Sequence, residues 1–253
     1  MSIQILLTND DGVHARGLRL LAAAFEAADL GEVWVVAPET EQSAMSHAIS
    51  LGKPLRIRRI EERRFSVTGT PTDCAYIGIN HVMNGDLPTL VVSGVNHGAN
   101  LGTDVTYSGT VGAAMEGCAL GAAAIAVSSL GISDDSLTRA ARFAVRIARK
   151  VLEDGLPQGV LLNLNVPEGW PDGGPWRLGT LGVRNYGRVV DERRDPRGGR
   201  YYWIGGPPIT HDDIPGSDCN LVRDGLASVT PVHMDLTHHP TMDRLQGWLE
   251  SVG

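Results

Sequence analysis

Short, unbroken apolar runs recur along the first 165 residues, each closed by a cluster of small polar or acidic residues, and this pattern limits the possible folds more than any other feature. The runs lie at 3–8 (IQILLT), 33–37 (VWVVA), 89–94 (TLVVSG), 124–129 (AIAVSS) and 160–164 (VLLNL). A continuous apolar run, rather than an alternating one, is the mark of a strand buried on both faces, as in a parallel sheet. Helix-forming segments come between the runs. Residues 17–29 (GLRLLAAAFEAAD) have helical composition, and 136–152 places Ala140, Ala144, Ala148 and Val151 on one face with arginines elsewhere. Thr70-Pro71-Thr72-Asp73 combines a hydroxyl cap, a proline at the first helical position and an acid at the third, and opens a helix toward Met83. A glycine-rich helix is expected over 109–121. Strand and helix in alternation build βαβ units and an α/β fold with a mostly parallel sheet flanked by helices.

After about residue 170 the texture changes to Gly, Pro and Arg with the cluster Tyr201, Tyr202 and Trp203, which predicts hairpins and extended arms, followed by a terminal helix over 241–250. The division expected is a core over 1–170 and an extension over 171–253, within one structural unit. The absence of an internal repeat excludes solenoids. A net charge of −7 without a dense Lys/Arg run makes long nucleic acid and anionic membranes poor partners, and a small ligand the better one. The opening MSIQILLTNDDG reaches acidic residues too soon for a signal peptide or a membrane span, so a cytoplasmic location is expected. Three cysteines, Cys74, Cys118 and Cys219, are an odd number without CxxC spacing and are expected as buried small hydrophobes.

Four polar clusters follow the predicted strands or open the predicted helices, and in an open parallel sheet the ligand crevice lies at the carboxyl ends of the strands. Thr8-Asn9-Asp10-Asp11-Gly12 sets two carboxylates side by side at the end of the first strand. Such a pair is either a hydrophilic turn or a site for a hard cation that relieves the repulsion. The segment 37–47 (APETEQSAMSH) is either a solvated connection or a loop that lowers Ser43 or Ser46 into the crevice. Residues 93–102 (SGVNHGANLG) carry Asn96 and Asn100, whose amides can ligate a cation or donate to phosphate, or simply form a Gly/Asn turn. Ser108 can cap the helix that follows, and the free amides at Gly109 and Thr110, with the positive end of the helix dipole, suit an anion. His47 and His97 fall within the crevice loops, whereas the other histidines lack metal-ligand spacing. No GxSxG, GxxxxGK[ST] or GxGxxG follows the first strand, which excludes the hydrolase elbow, the P-loop and the dinucleotide fingerprint.

The segments ILLTNDDG (5–12), APETEQSAMSHAIS (37–50), VTGTPTDC (67–74), VVSGVNHGANLGTDVTYSGTVGAAMEG (91–117) and SVTPVHMDLT (228–237) together resemble the SurE nucleotidases. The resemblance implies a Rossmann-like core, a C-terminal part that exchanges arms between subunits, and a homodimer or homotetramer. It implies hydrolysis of nucleoside 5′- and 3′-monophosphates, with one divalent cation, Mg²⁺ or Mn²⁺, per subunit. Carried over by motif position, the metal ligands would be Asp10, Asp11, Ser43 and Asn96, with Asp10, Asp11 and Asn96 in the chemistry. The phosphate contacts would be Asn9, Asn100, Ser108, Gly109 and Thr110. Two other readings of the same crevice are a nucleotide sensor without hydrolysis and a phosphatase acting mainly on short polyphosphate. One departure stands at 215–220 (PGSDCN), where Ser217 replaces a threonine of the family pattern.

Overall fold

The computed structural model describes residues 3–187, 189–205 and 209–252. Strand and helix alternate through the first two thirds: β1 (Gln4–Thr8), α1 (Arg16–Ala28), β2 (Glu32–Pro38), a hairpin of β3 (Ile57–Glu61) and β4 (Arg64–Val67), α2 (Pro71–Ile77), β5 (Leu90–His97), α3 (Gly109–Ala119), β6 (Ala123–Ser129), α4 (Asp134–Asp154) and β7 (Val160–Val166). The last third adds β8 (Trp176–Leu178), β9 (Arg184–Asn185), the hairpin strands β10 (Val190–Arg194) and β11 (Arg200–Ile204), β12 (Thr210–His211), α5 (Asp218–Arg223), β13 (Ala227–His233) and α6 (His239–Leu249).

Among the described residues, nine strands form one sheet in the order β3-β4-β2-β1-β5-β6-β7-β13-β8. From β4 to β7 all neighbours run parallel, while β3 and β13 pair antiparallel with β4 and β7. The chain winds outward from β1 to β2, then returns across β1 to begin the other half at β5. The strand order therefore reverses between β1 and β5, and a crevice opens beyond their carboxyl ends. Beyond residue 170 the chain is not all hairpin, since β13 and β8 complete the central sheet. No described helix is long and apolar enough to cross a membrane.

The unbroken apolar runs follow from cores on both sheet faces. Ile5 and Leu7 of β1 pack with Leu18, Leu21 and Phe25 of α1 and with Leu137 and Phe143 of α4. Leu6, between them, enters the opposite core with Cys74 of α2 and Val111 and Ala114 of α3. Each such leucine contributes about 1.5–3 kcal/mol, so neither face tolerates a polar residue cheaply. The three cysteines are free and buried. Thr70 and Asp73 form the reciprocal cap expected of α2, each side chain bonded to the other's main-chain N–H. After Ile77 that helix widens into a π turn over Gly78–Val82.

Gly17 decides how closely α1 approaches the crevice. A Cβ there would stand 2.0 Å from the Val95 carbonyl oxygen, where the pairing of β5 with β6 shifts register between Ser93 and Asn96. Ala is worth about 1 kcal/mol more than Gly within a helix, but a backbone collision costs about 1–3 kcal/mol or more. Gly17→Ala should therefore lower the melting temperature by several degrees, whereas Gly52→Ala, with nothing within 4 Å, should leave it nearly unchanged; thermal unfolding of both variants checks this.

Candidate active site

At the end of β1 the chain turns sharply around Asn9. This side chain has no exposed surface; its Nδ2 donates to the Gly12 carbonyl at 3.0 Å and its Oδ1 accepts the Gly12 N–H at 3.2 Å. Gly12, at φ 104°, supplies the positive backbone angle that the turn needs. The closed turn delivers Asp10, 5% exposed, onto the start of α3. There the Thr110 hydroxyl donates to Asp10 Oδ1 at 2.5 Å. A Cβ on Gly109 would come within 3.0 Å of the Asp10 Cβ and 3.1 Å of its Oδ2, so glycine is what permits the approach. Burial pushes the Asp10 carboxyl up to about 6; the Thr110 hydroxyl opposes the rise and the neighbouring Asp11 charge adds to it. Asp11 is raised as well, chiefly by burial, with His97 pulling it down and Glu41 pushing it up.

The loop after β2 is strapped down at several points. The Ser46 hydroxyl donates to the Thr106 carbonyl at 2.6 Å, and its N–H to Tyr107 at 3.0 Å. His47 Nε2 lies 2.7 Å from Glu116 of α3, and the Thr70 hydroxyl donates to the Ala48 carbonyl at 2.6 Å. Gly112 lets the loop ride directly on α3, since a Cβ there would meet the Ser46 carbonyl oxygen at 2.3 Å. Ser46 is thus a strap. Ser43 lines the crevice, and its hydroxyl donates to Glu41 Oε1 at 2.8 Å, which leaves the oxygen lone pairs free to face a cation.

From β5 come Asn96 and His97. Asn96 Nδ2 donates to the Gly98 carbonyl at 2.9 Å, so its Oδ1 is the atom left for ligation. His97 Nδ1 stands 3.7 Å from Asp11 Oδ2, beyond hydrogen-bond reach, and that oxygen is buried without a hydrogen-bond partner. Asn100 is held on three sides. Its N–H donates to Asn165 Oδ1, its carbonyl accepts from Asn163 and Asn165, and its Nδ2 donates to Ser128, all at 2.8–3.0 Å.

These groups meet in a cavity of roughly 590 Å³. Asp10, Ser43, Asn96, Asn100 and Ser108 form its polar part, and Tyr107, Tyr186, Ile204 and Ile209 its apolar part. Among the described residues, no three His, Cys, Asp or Glu side chains gather as a metal cluster. Of the four expected ligands, Asp10, Ser43 and Asn96 line this cavity and Asp11, next along the chain, does not; together the four offer two carboxylates, a hydroxyl and an amide, oxygen donors of the kind hard cations prefer. An orphaned buried carboxylate oxygen on Asp11 and an Asp10 raised by desolvation are what such a cation would relieve.

Two expected phosphate contacts are used differently. Asn9 spends both amide atoms on Gly12, and the Thr110 hydroxyl is spent on Asp10, with its N–H also favouring that carboxylate. Asn100 and Ser108 do line the cavity, and Ser108 also caps α3 by accepting the Val111 N–H at 3.1 Å. Sequence reasoning missed Asn163 and Asn165, although two asparagines at alternate positions of an apolar strand are a readable signal. It also missed Asp218, which has no exposed surface and accepts the N–H groups of Gly102, Gly182 and Cys219 at 2.8 Å, tying α5 to the loop after Asn100. Ser217, the departure from the family pattern, caps α5 one residue earlier.

A doubly wound α/β sheet with an acidic, amide-lined crevice at its switch point defines the class to which this protein belongs. The comparisons narrow it. The family described as "Survival protein SurE" matches residues 5–188. The chain is 54% identical over 248 residues to a protein of Anaeromyxobacter sp. (strain Fw109-5) named 5′-nucleotidase SurE, covering 97% of this chain and 96% of that one. A Myxococcus xanthus protein of the same name is 52% identical, with 97% and 93% covered. The crystal structure of the SurE protein from Aquifex aeolicus superposes with a TM-score of 0.83 at 36% identity, covering 98% of this chain and 99% of that one. The chain belongs to the SurE family.

Asp10→Asn keeps the shape and the acceptor for Thr110 but removes the buried charge. An acid whose folded pKa is raised destabilises the native state above that pKa, and the penalty disappears as pH falls toward the unfolded value. With EDTA present, the variant should melt several degrees above the wild type at pH 7.5, and the gap should close as pH falls through about 6 toward 4. Thermal melts across that range check the sign.

Proposed function

We infer that this chain is a 5′-nucleotidase that hydrolyses nucleoside monophosphates to nucleoside and phosphate. The observation that carries the reading is one cavity in which a polar floor of carboxylate, hydroxyl and amide groups adjoins an apolar wall, in a chain whose close relatives bear the name 5′-nucleotidase. The floor suits a cation and a phosphate, and Tyr107, Ile204 and Ile209 suit a nucleoside.

Asp10, Asp11, Ser43 and Asn96 would hold one divalent cation, Mg²⁺ or Mn²⁺. When bound, such an ion polarises a phosphoryl oxygen and lowers the pKa of water. The protein's own groups do the positioning. Ser108 and the Gly109 N–H at the start of α3, with Asn100 beside them, face the equatorial phosphate oxygens and offset their charge, which is the larger part of catalysis in phosphoryl transfer. Thr110 and Asn9 act one step back: Thr110 holds Asp10, and Asn9 shapes the turn that presents both aspartates. The P–O bond to the nucleoside breaks, water supplies the new oxygen on phosphorus, and the departing alkoxide takes up a proton. The 3′-monophosphates, which present the same phosphate from another ribose carbon, are secondary substrates.

Phosphate release from AMP or GMP should require added Mg²⁺ or Mn²⁺ and stop with EDTA, and Asp10→Asn and Asp11→Asn should each remove most of it. Binding of AMP without phosphate release under either cation would leave a nucleotide sensor and overturn the hydrolase.

The assembly is a homodimer or homotetramer. Tyr202 is 54% and Trp203 60% exposed on β11, and none of the described residues of α6 is buried although Met242, Leu245 and Leu249 lie on it. Apolar surface gathered on two projecting elements is what a second subunit covers. Light scattering at micromolar concentration should give the mass of a dimer or tetramer, and a fully active monomer would contradict this.

A further inference from the structure

Asp104 stands in the 3-10 turn Gly102–Thr106 and lines the cavity. Its main-chain carbonyl accepts the N–H groups of Tyr107 at 2.9 Å and Ser108 at 3.1 Å, which fixes the approach to α3. Its carboxylate does something else. Oδ2 accepts the Tyr186 hydroxyl at 2.6 Å and faces Arg184 Nη1 at 2.9 Å. The side chains of Arg184 and Asp104 are 19% and 13% exposed, so the pair is withdrawn from most of the solvent that weakens surface ion pairs. The Arg184 guanidinium also lies over the Tyr186 ring, 5.6 Å from its centroid. Burial and the bond to Asp104 push the Tyr186 hydroxyl up to about 12, so it remains a donor.

The main chain of this wall is anchored independently. Arg184 and Asn185 pair with Thr210 and His211, and Gly182 donates to Asp218. Loss of the Asp104 contacts would therefore free the Tyr186 side chain without releasing the strand that carries it. Tyr186 and Asp104 both line the cavity that holds Asp10, Asn96 and Ser108.

We propose that Asp104, Arg184 and Tyr186 form a latch that sets selectivity for nucleotides over small phosphate monoesters. Asp104 is its positioning residue, holding the Tyr186 ring on the wall met by the nucleoside; this rests on the nucleotidase reading above. An aromatic face accepts any base, because every base has a π face to stack. The latch thus favours nucleotides as a class and does not choose among bases.

The test is kcat/KM for AMP, GMP and glycerol 2-phosphate, which has no ring to stack, with wild type, Tyr186→Phe, Asp104→Asn and the double variant. In Tyr186→Phe the AMP to glycerol 2-phosphate ratio should fall about fivefold, the order of one lost hydrogen bond, with the GMP ratio falling alike and the change carried by KM. Asp104→Asn should lower the ratio too, and the double variant should fall no further than the larger single effect, as expected of residues acting through one contact. An unchanged ratio in Tyr186→Phe, an equal loss on all three substrates, or simple addition in the double variant would overturn the latch. Wild type that turns over glycerol 2-phosphate but neither nucleotide would sink the nucleotidase reading instead, whereas a wild-type preference for nucleotides that survives every variant would sink the latch alone.

Discussion

A carboxylate held almost out of water at the end of β1 is the constraint around which the crevice is arranged. Asp10 is 5% exposed and its pKa is pushed up to about 6, which marks real desolvation of a group that prefers to be charged and hydrated. The surrounding residues are those that make this tolerable. Thr110 gives it a hydrogen bond, the positive end of α3 faces it, and Gly109 has no Cβ to keep it away. The turn closed by Asn9 and Gly12 presents it there. A structure that accepts such a cost at a sheet's switch point has a use for the charge there, and a divalent cation is the proposed use.

Precision at the crevice comes from residues one layer behind it. Asn100 is bracketed by Asn163, Asn165 and Ser128, polar side chains of β6 and β7 turned into an otherwise apolar interior. Buried amides of this kind are favourable where their partners are met, as they are at Asn165, whereas Asn163 meets Asn100 through Nδ2 and leaves its Oδ1 without a partner. The loop bearing Ser43 is fixed in the same way, by Ser46, His47 and Thr70 rather than by Ser43 itself. Groups that meet a substrate can then keep free valences, because others do the holding.

The last third of the chain contributes in two distinct ways. β13 and β8 extend the sheet, and Asp218 binds three main-chain N–H groups that join α5 to the loop after Asn100. The β10–β11 hairpin and α6, by contrast, project apolar side chains outward. The first set completes the fold that positions the crevice, and the second suits contact with another subunit.

Local chemistry was legible along the chain. The two-faced burial of β1, with Ile5 and Leu7 on one side and Leu6 on the other, was written as an unbroken apolar run, and the cap of α2 as Thr-Pro-Thr-Asp, because such features depend on neighbours in sequence. The clusters after β1, β2 and β5 were likewise visible, and motif likeness assigned them roles. What each side chain does was settled by packing across long separations. Thr110 meets Asp10, a hundred residues earlier, and so holds a carboxylate where the sequence suggested a phosphate. Ser43 and Ser46 are alike in the sequence, and Thr106 and Tyr107 decide which of them is strap. Hydrogen-bond partners and the loss of water at a group are properties of the folded surface, whereas residue type and periodicity are properties of the chain, and the sequence determined the second while the tertiary structure decided the first.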